Sequence, residues 1–140
     1  MWDVVSIGGA TQDVFVRSEG AQVIRMSDIR QERAWLGFDY GAKIPVDTIR
    51  FTVGGGGTNT AVSFAKLGLN TASLVKVGQD AAGAEIIQTL QAAGVETRLI
   101  CQATTGQTGY SVVLTSYEGE RSILAFRGLN QELQAEDLDW

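Results

Sequence analysis

Between positions 51 and 101 the chain alternates an apolar run, a helical pattern, a second apolar run, a second helical pattern and a third apolar run. Nothing else in the sequence limits the fold as much. Strands separated by helix-length segments cannot pair as hairpins; they lie parallel, joined by right-handed crossovers. The first run closes "KIPVDTIRFTVGG", β-branched and aromatic, with Pro45 placing its start at a sheet edge. In "GGGGTNTAVSFAKLG", Ala61, Phe64, Ala65 and Gly68 fall on one helical face, with Val62 and Leu69 beside them. Thr58 or Asn59 can cap this helix, and Gly68 can stop it in the left-handed conformation. "TASLVKVG" (71–78) is the next strand. "DAAGAEIIQTLQAAG" is the second helix, capped by Asp80, closed by Gly94, with Ile86, Leu90 and Ala93 as its inner stripe. "VETRLIC" is the third strand.

The flanks read differently. "DVVSIGG" (3–9) is a short apolar run ending in glycines, expected as a buried parallel strand. "DVFVR" and "QVIRM" alternate, and their spacing predicts a hairpin at 18–21. "SDIRQERAWLG" predicts a short helix from Ser27. Beyond Thr104, "TGYSVVLTSY" and "ERSILAFRG" predict a hairpin turning at Glu118 and Gly119. Tyr110, Val112 and Leu114 share one side of it, and Val113 and Tyr117 the other, so it expects two partners: a ligand or the main body, and a second subunit. The closing "LNQELQAEDLDW" predicts a helix from near Glu132. The layout is a parallel α/β core with antiparallel ribbons at 13–26 and 108–127, a cover for a cleft.

Composition removes several classes of function. The 140 residues include no histidine, which excludes Ser-His-Asp and Cys-His catalysis and most zinc sites. The net charge of −5 gives no basic face for nucleic acid or an anionic membrane. The single cysteine, Cys101, can form no internal disulfide and fits a reducing compartment; at the end of an apolar run it reads as a small buried hydrophobe. The start "MWDVVSIGGA" lacks the basic leader of a signal peptide, and no apolar stretch approaches the ~20 residues of a membrane span. A soluble cytoplasmic protein is expected.

The four glycines 54–57 admit two readings. Glycine orders at a high entropic cost, so a run of it is either a plain loop or a place where something approaches the backbone. Helix N-terminal amides favour electron-rich atoms. A Walker loop needs Gly-Lys-Ser/Thr, and "GGGGTN" has no lysine. A dinucleotide fingerprint needs a third glycine where Asn59 stands. The Asn59 amide can donate to and accept from a vicinal diol, or simply cap the helix. Asp13, just beyond the first strand in "GGATQDVFV", can accept from two hydroxyls, or serve as a turn acid. Asp13, Asn59 and glycine backbone together make a polyol site, while the acids lack metal-ligand spacing.

Taken together, "SIGGATQD", "GGGGTNTAVSFAKLG", "VGQDAAGAEI", "TGYSVVL" and "EGERSILAFRGLN" resemble, in order, the motifs of the ribokinase-like, or PfkB, carbohydrate kinases, from position 4 to about 130. The resemblance implies a three-layer α/β/α ribokinase-like, Rossmann-like core (1–12 and 48–104) with a small antiparallel β lid (13–26, 43–48 and 108–127). It implies that Asp13, Thr11, Gly54, Gly55, Gly56 and Asn59 bind the acceptor. It further implies ATP and Mg as cofactors, held mostly outside this chain, and a homodimer through the lid. Two departures weigh against ribose itself: Thr11 stands where ribokinase has Asn, and Gly56 where it has Lys.

The family's second signature, Asp-Thr-x-Gly-Ala-Gly-Asp, does not occur in these residues. It carries the catalytic base and the anion hole, so no catalytic residue is assigned here and the C-terminal half of the fold is expected to be absent. The resulting expectation is a sugar kinase whose acceptor site and lid lie in these residues, inactive alone. A nucleoside kinase, with Tyr110 or Phe15 stacking on a base, and a non-catalytic β-lid dimerisation module are the alternatives. The segment 27–42 has no assigned role.

Overall fold

A computed structural model describes residues 1–137. In chain order its strands are β1 (Val4–Ile7), β2 (Thr11–Arg17), β3 (Gln22–Ser27), β4 (Glu32–Gly37) and β5 (Thr48–Gly54). Helix α1 (Gly56–Lys66), β6 (Thr71–Leu74), β7 (Lys76–Gly78) and helix α2 (Ala81–Ala92) follow, then β8 (Cys101–Ala103), β9 (Gly109–Thr115) and β10 (Arg121–Phe126). The chain divides into two compact units. One comprises Met1–Asp13, Thr52–Ser111 and the chain from Ala125; the other comprises Val14–Phe51 and Val112–Leu124.

The first unit holds the parallel pairs, β1 with β6 and β7 with β8. Their partners differ from the simple β-α-β-α-β expectation. β5 belongs to a four-stranded sheet in the order β10-β9-β2-β5, at its edge, with Pro45 lying before the strand in irregular chain, and β6 pairs with β1 instead. The apolar run 71–78 breaks into two strands because it changes partner at Val75, whose carbonyl accepts from Cys101 N–H at 2.9 Å. The strand expected at "VETRLIC" is reduced to a bridge between Ala72 and Glu96; a turn from Thr97 to Ile100 intervenes, and β8 starts only at Cys101.

Ile86 and Leu90 of α2 are fully buried against Val75, Val77, Val95, Ala61 and Ala10. Each such aliphatic side chain contributes about 1.5–3 kcal/mol by leaving water. Asp80 caps α2 as the sequence indicates, accepting from Gly83 N–H at 2.8 Å, and Gly94 ends it at φ +77°. β1 is less buried than its composition implies. Ser6 faces α1 and donates to the Gly57 carbonyl at 2.9 Å. Strand alternation therefore turns Val5 and Ile7 the other way, and they are 40% and 60% exposed. With Trp2, Leu74, Leu99 and Ile100 they line an open hollow of about 740 Å³.

In the second unit the hairpin expected at 18–21 does not form. The chain does turn there, with Ala21 N–H on the Ser18 carbonyl at 3.2 Å, but β2 has β9 and β5 as its neighbours and β3 pairs antiparallel with β4. The helix expected from Ser27 is replaced by a tight turn. Asp28 Oδ1 accepts from the N–H of Arg30 at 2.7 Å and of Gln31 at 3.0 Å, which favours a turn over a helix start. Residues 27–42 thus contain β4, which pairs Trp35 with Ile24 across the ladder. Arg25 forks onto the Glu118 carboxylate. The β9–β10 hairpin forms as expected, with Gly119 at φ +90° in its turn.

Beyond β10 the chain makes two 3-10 turns, Gly128–Gln131 and Ala135–Asp137, in place of a helix from Glu132. Lys76 Nζ holds this segment by the Glu132 carbonyl at 3.0 Å and the Asp137 carboxylate at 2.9 Å. The remainder of that expected helix, 138–140, lies outside the described residues.

Candidate functional site: a carboxylate over a glycine turn

The glycine run is the junction of β5 and α1. Gly54 ends the strand, Gly55 is the N-cap at φ +101°, and α1 begins at Gly56. Neither Thr58 nor Asn59 caps the helix, because both already lie inside its first turn. The Thr58 hydroxyl reaches back to the carbonyls of Gly54 (2.6 Å) and Gly55 (2.9 Å). Asn59 N–H donates to the Gly55 carbonyl at 2.9 Å. Its side chain is exposed and, among the described residues, makes no hydrogen bond.

Three of the four glycines answer to close packing. A Cβ on Gly55 would stand 2.7 Å from Gly9 C and 2.8 Å from Ala10 Cα. One on Gly57 would stand 2.7 Å from Val75 Cγ1 and 3.0 Å from the Gly8 backbone. Gly57 N–H in turn donates to the Gly9 carbonyl at 2.9 Å. The loop after β1 therefore lies main chain to main chain on the start of α1, which only glycine permits. A Cβ on Gly54 would overlap Asp13 Oδ2 and stand 2.8 Å from its Cγ. Gly56 is the exception, with nothing within 4 Å.

Asp13 is on β2. Its Oδ1 accepts from the Thr11 hydroxyl at 2.9 Å and from the Ser111 hydroxyl at 2.6 Å, while Oδ2 rests against Gly54. The structure thus brings Thr11, Asp13 and Gly54 into contact, and ties Asn59 to the adjacent Gly55 through the backbone. It records no contact between the Asp13 and Asn59 side chains. Such a group offers a fixed anionic acceptor, an unengaged amide and bare backbone at a helix N-terminus, which is chemistry for a neutral, hydroxyl-rich ligand.

Two residues of this constellation escape sequence reasoning. Ser111, buried on β9, carries no signal beyond its parity in the strand. Asn130 clamps the loop after β1: Ala10 N–H donates to its Oδ1 at 2.7 Å, and its Nδ2 donates to the Ala10 carbonyl at 2.9 Å. A Cβ on Gly9 would meet the Asn130 amide at 3.5 Å. Its position at the end of "FRGLN" is the only trace of it in the sequence.

Elsewhere the polar groups are structural. Burial pushes the Asp80 carboxyl up, but the Thr108 hydroxyl and N–H and the Gly83 N–H outweigh it, leaving a net lowering. The Cys101 thiol is pushed up by burial and by the Asp137 charge, which leaves it little thiolate. Among the described residues no three of Asp, Glu and Cys come together as a metal site. The glycine turn has no lysine, and its Gly57 amide is already engaged by Gly9. These residues do not fit a nucleoside triphosphate or its Mg. No helix among the described residues is long and apolar enough to cross a membrane.

Residues 4–140 match the family model described as pfkB family carbohydrate kinase. Mouse ribokinase is 34% identical over 85 residues, covering 61% of this chain and 26% of that protein. Deoxyribokinase of Salmonella typhi is 29% identical over 99 residues, covering 71% and 32%. The chain thus spans about a quarter to a third of these curated relatives. Arabidopsis thaliana ribokinase, solved in complex with ribose and ATP, superposes with a TM-score of 0.71 at 27% identity, over 91% of this chain and 36% of its own. The likeness identifies a mixed α/β ribokinase fold, of which this chain is a part.

Proposed function

This chain belongs to the pfkB family of carbohydrate kinases, and from that premise we propose that it forms the acceptor-binding part of an ATP-dependent kinase acting on a sugar hydroxymethyl group. The observation that carries the proposal is the Asp13 carboxylate, held by two hydroxyls and laid against side-chain-free Gly54. An ionised carboxylate accepts sugar hydroxyls with charge-assisted strength. The backbone of Gly54, Gly55 and Gly56 lets the ring approach, the Asn59 amide pairs with a neighbouring hydroxyl, and Thr11 orients Asp13. These residues bind and orient. The base and anion hole of phosphoryl transfer are not among them, so the chain alone binds acceptor and turns over nothing.

In this reading, 1–12 and 48–104 are core, and 13–26, 43–48 and 108–127 are lid. Ile24, Met26, Trp35, Ile123 and Leu124 are all exposed, which supports a homodimer through the lid. A cytoplasmic setting is supported by the single, unbridged cysteine.

The test is calorimetric titration of the chain and of D13N with D-ribose, 2-deoxy-D-ribose, D-fructose and adenosine, beside an ATP-consumption assay. The proposal expects saturable sugar binding that D13N weakens at least tenfold, and no turnover. Adenosine binding without sugar binding would make it a nucleoside kinase. A dimer indifferent to every ligand would make it an assembly module. Sugar binding unchanged in D13N would refute the site.

A further inference from the structure

We propose that Ser111 is a positioning residue for Asp13, and that with Thr11 it commits one carboxylate oxygen to the protein so that the acceptor meets only the other. The inference rests on the acceptor-site reading above and deepens it. Ser111 lies 98 residues from Asp13, yet its hydroxyl donates to Oδ1 at 2.6 Å. The Thr11 hydroxyl donates to the same oxygen at 2.9 Å. A carboxylate oxygen has two lone-pair sites, and both on Oδ1 are taken. Oδ2 accepts from neither hydroxyl and lies where Gly54 has no side chain. Two donors on one oxygen, from Thr11 and from Ser111 on another strand, also hold the Asp13 side chain in one rotamer about its Cα–Cβ bond. Asp13 therefore presents a single oxygen with two lone-pair sites. It can take one hydroxyl, or two vicinal hydroxyls that converge on that one atom. It does not straddle a diol with one hydroxyl on each oxygen. Acceptors whose adjacent hydroxyls are gauche are favoured over those with well-separated hydroxyls.

Ser111 is nearly buried, at 8% exposure, so it acts through Asp13 and not by touching ligand. Its removal leaves Oδ1 with Thr11 alone and an unsatisfied site that a ligand hydroxyl or water can enter.

The experiment compares the chain, S111A and S111T by two measurements. The first is the pair of three-bond couplings from Asp13 Cγ to its backbone nitrogen and carbonyl carbon, which report the Asp13 χ1 rotamer without any ligand. The second is D-ribose affinity by calorimetry. A single rotamer in the parent chain, averaged couplings in S111A, restoration in S111T and about tenfold weaker D-ribose binding in S111A are expected. Urea unfolding confirms that S111A folds. Unchanged couplings in folded S111A would overturn the proposal whatever its affinity. Averaged couplings in S111A, in a chain that binds none of D-ribose, 2-deoxy-D-ribose and D-fructose, would uphold the Ser111–Asp13 link and refute the sugar reading instead.

Discussion

Alanine placed in turn at Gly54, Gly55, Gly56 and Gly57 should produce different outcomes from four adjacent positions of one residue type. At Gly56 nothing lies within 4 Å and the residue is the first of α1, so a methyl costs no packing. Glycine is worse than alanine in a helix by about 0.5–1 kcal/mol, so G56A should be stabilising by up to that amount. At Gly55 and Gly57 the methyl meets main chain at 2.7–3.0 Å, and Gly55 is also at φ +101°. Backbone cannot move aside cheaply, and a loss of at least about 2 kcal/mol is expected at each from overpacking and strain. At Gly54 the obstacle is the Asp13 carboxylate, which can rotate away only by breaking its bonds to Thr11 and Ser111. Those two hydrogen bonds to a charged group bound the cost at about 1.5–3 kcal/mol each. G54A should therefore abolish D-ribose binding in a chain that still folds. Urea unfolding read by tryptophan fluorescence, with calorimetric titration, separates the four. G56A destabilising as much as G55A, or G54A binding like the parent chain, would refute the reasoning.

Three further outcomes follow from named contacts. The folded-state pKa of Asp80 is lowered, so its contribution is present above the unfolded carboxylate value of about 3.9 and is lost as pH falls through the folded value. Urea midpoints across pH 2–7 should fall below about pH 4 more steeply in the parent chain than in D80N, and parallel curves would contradict this. The Ser73 hydroxyl is fully buried and has no hydrogen-bond partner among the described residues, so S73A should be neutral or stabilising by up to about 1 kcal/mol in thermal unfolding; a clear loss would show that the hydroxyl is bonded. Replacing Asn130 by Asp sets a carboxylate oxygen against the Ala10 carbonyl, so N130D should cost about 2–3 kcal/mol by urea unfolding and at least as much as N130A; a change under about 0.5 kcal/mol would contradict the clamp.

What the sequence made legible was local. Both helices, the Asp80 cap, the stops at Gly68 and Gly94 and the Glu118–Gly119 turn are set by residues within a few positions of one another. Strand partners are set by distant competition. The 18–21 turn exists, but β9 and β5 flank β2 and leave β3 to pair with β4, which no spacing within 13–37 could reveal. The site divides the same way. Asp13 and the glycines are visible as residue types at a strand end and a helix start. Their supports, Ser111 and Asn130, come from 98 and 120 residues away and are ordinary polar residues until the chain folds. The glycine run itself was legible only as a choice between a loop and a close approach; the Gly8–Gly9 backbone is what approaches.

The most direct test of the acceptor site is the amide nitrogen–proton correlation spectrum of the labelled chain, titrated in turn with D-ribose, 2-deoxy-D-ribose and D-fructose. Saturating shifts that map to Asp13, Gly54, Gly55, Gly56 and Asn59 and vanish in D13N are expected. Shifts confined to the Trp2–Ile7 hollow, or none at any sugar concentration, would contradict it.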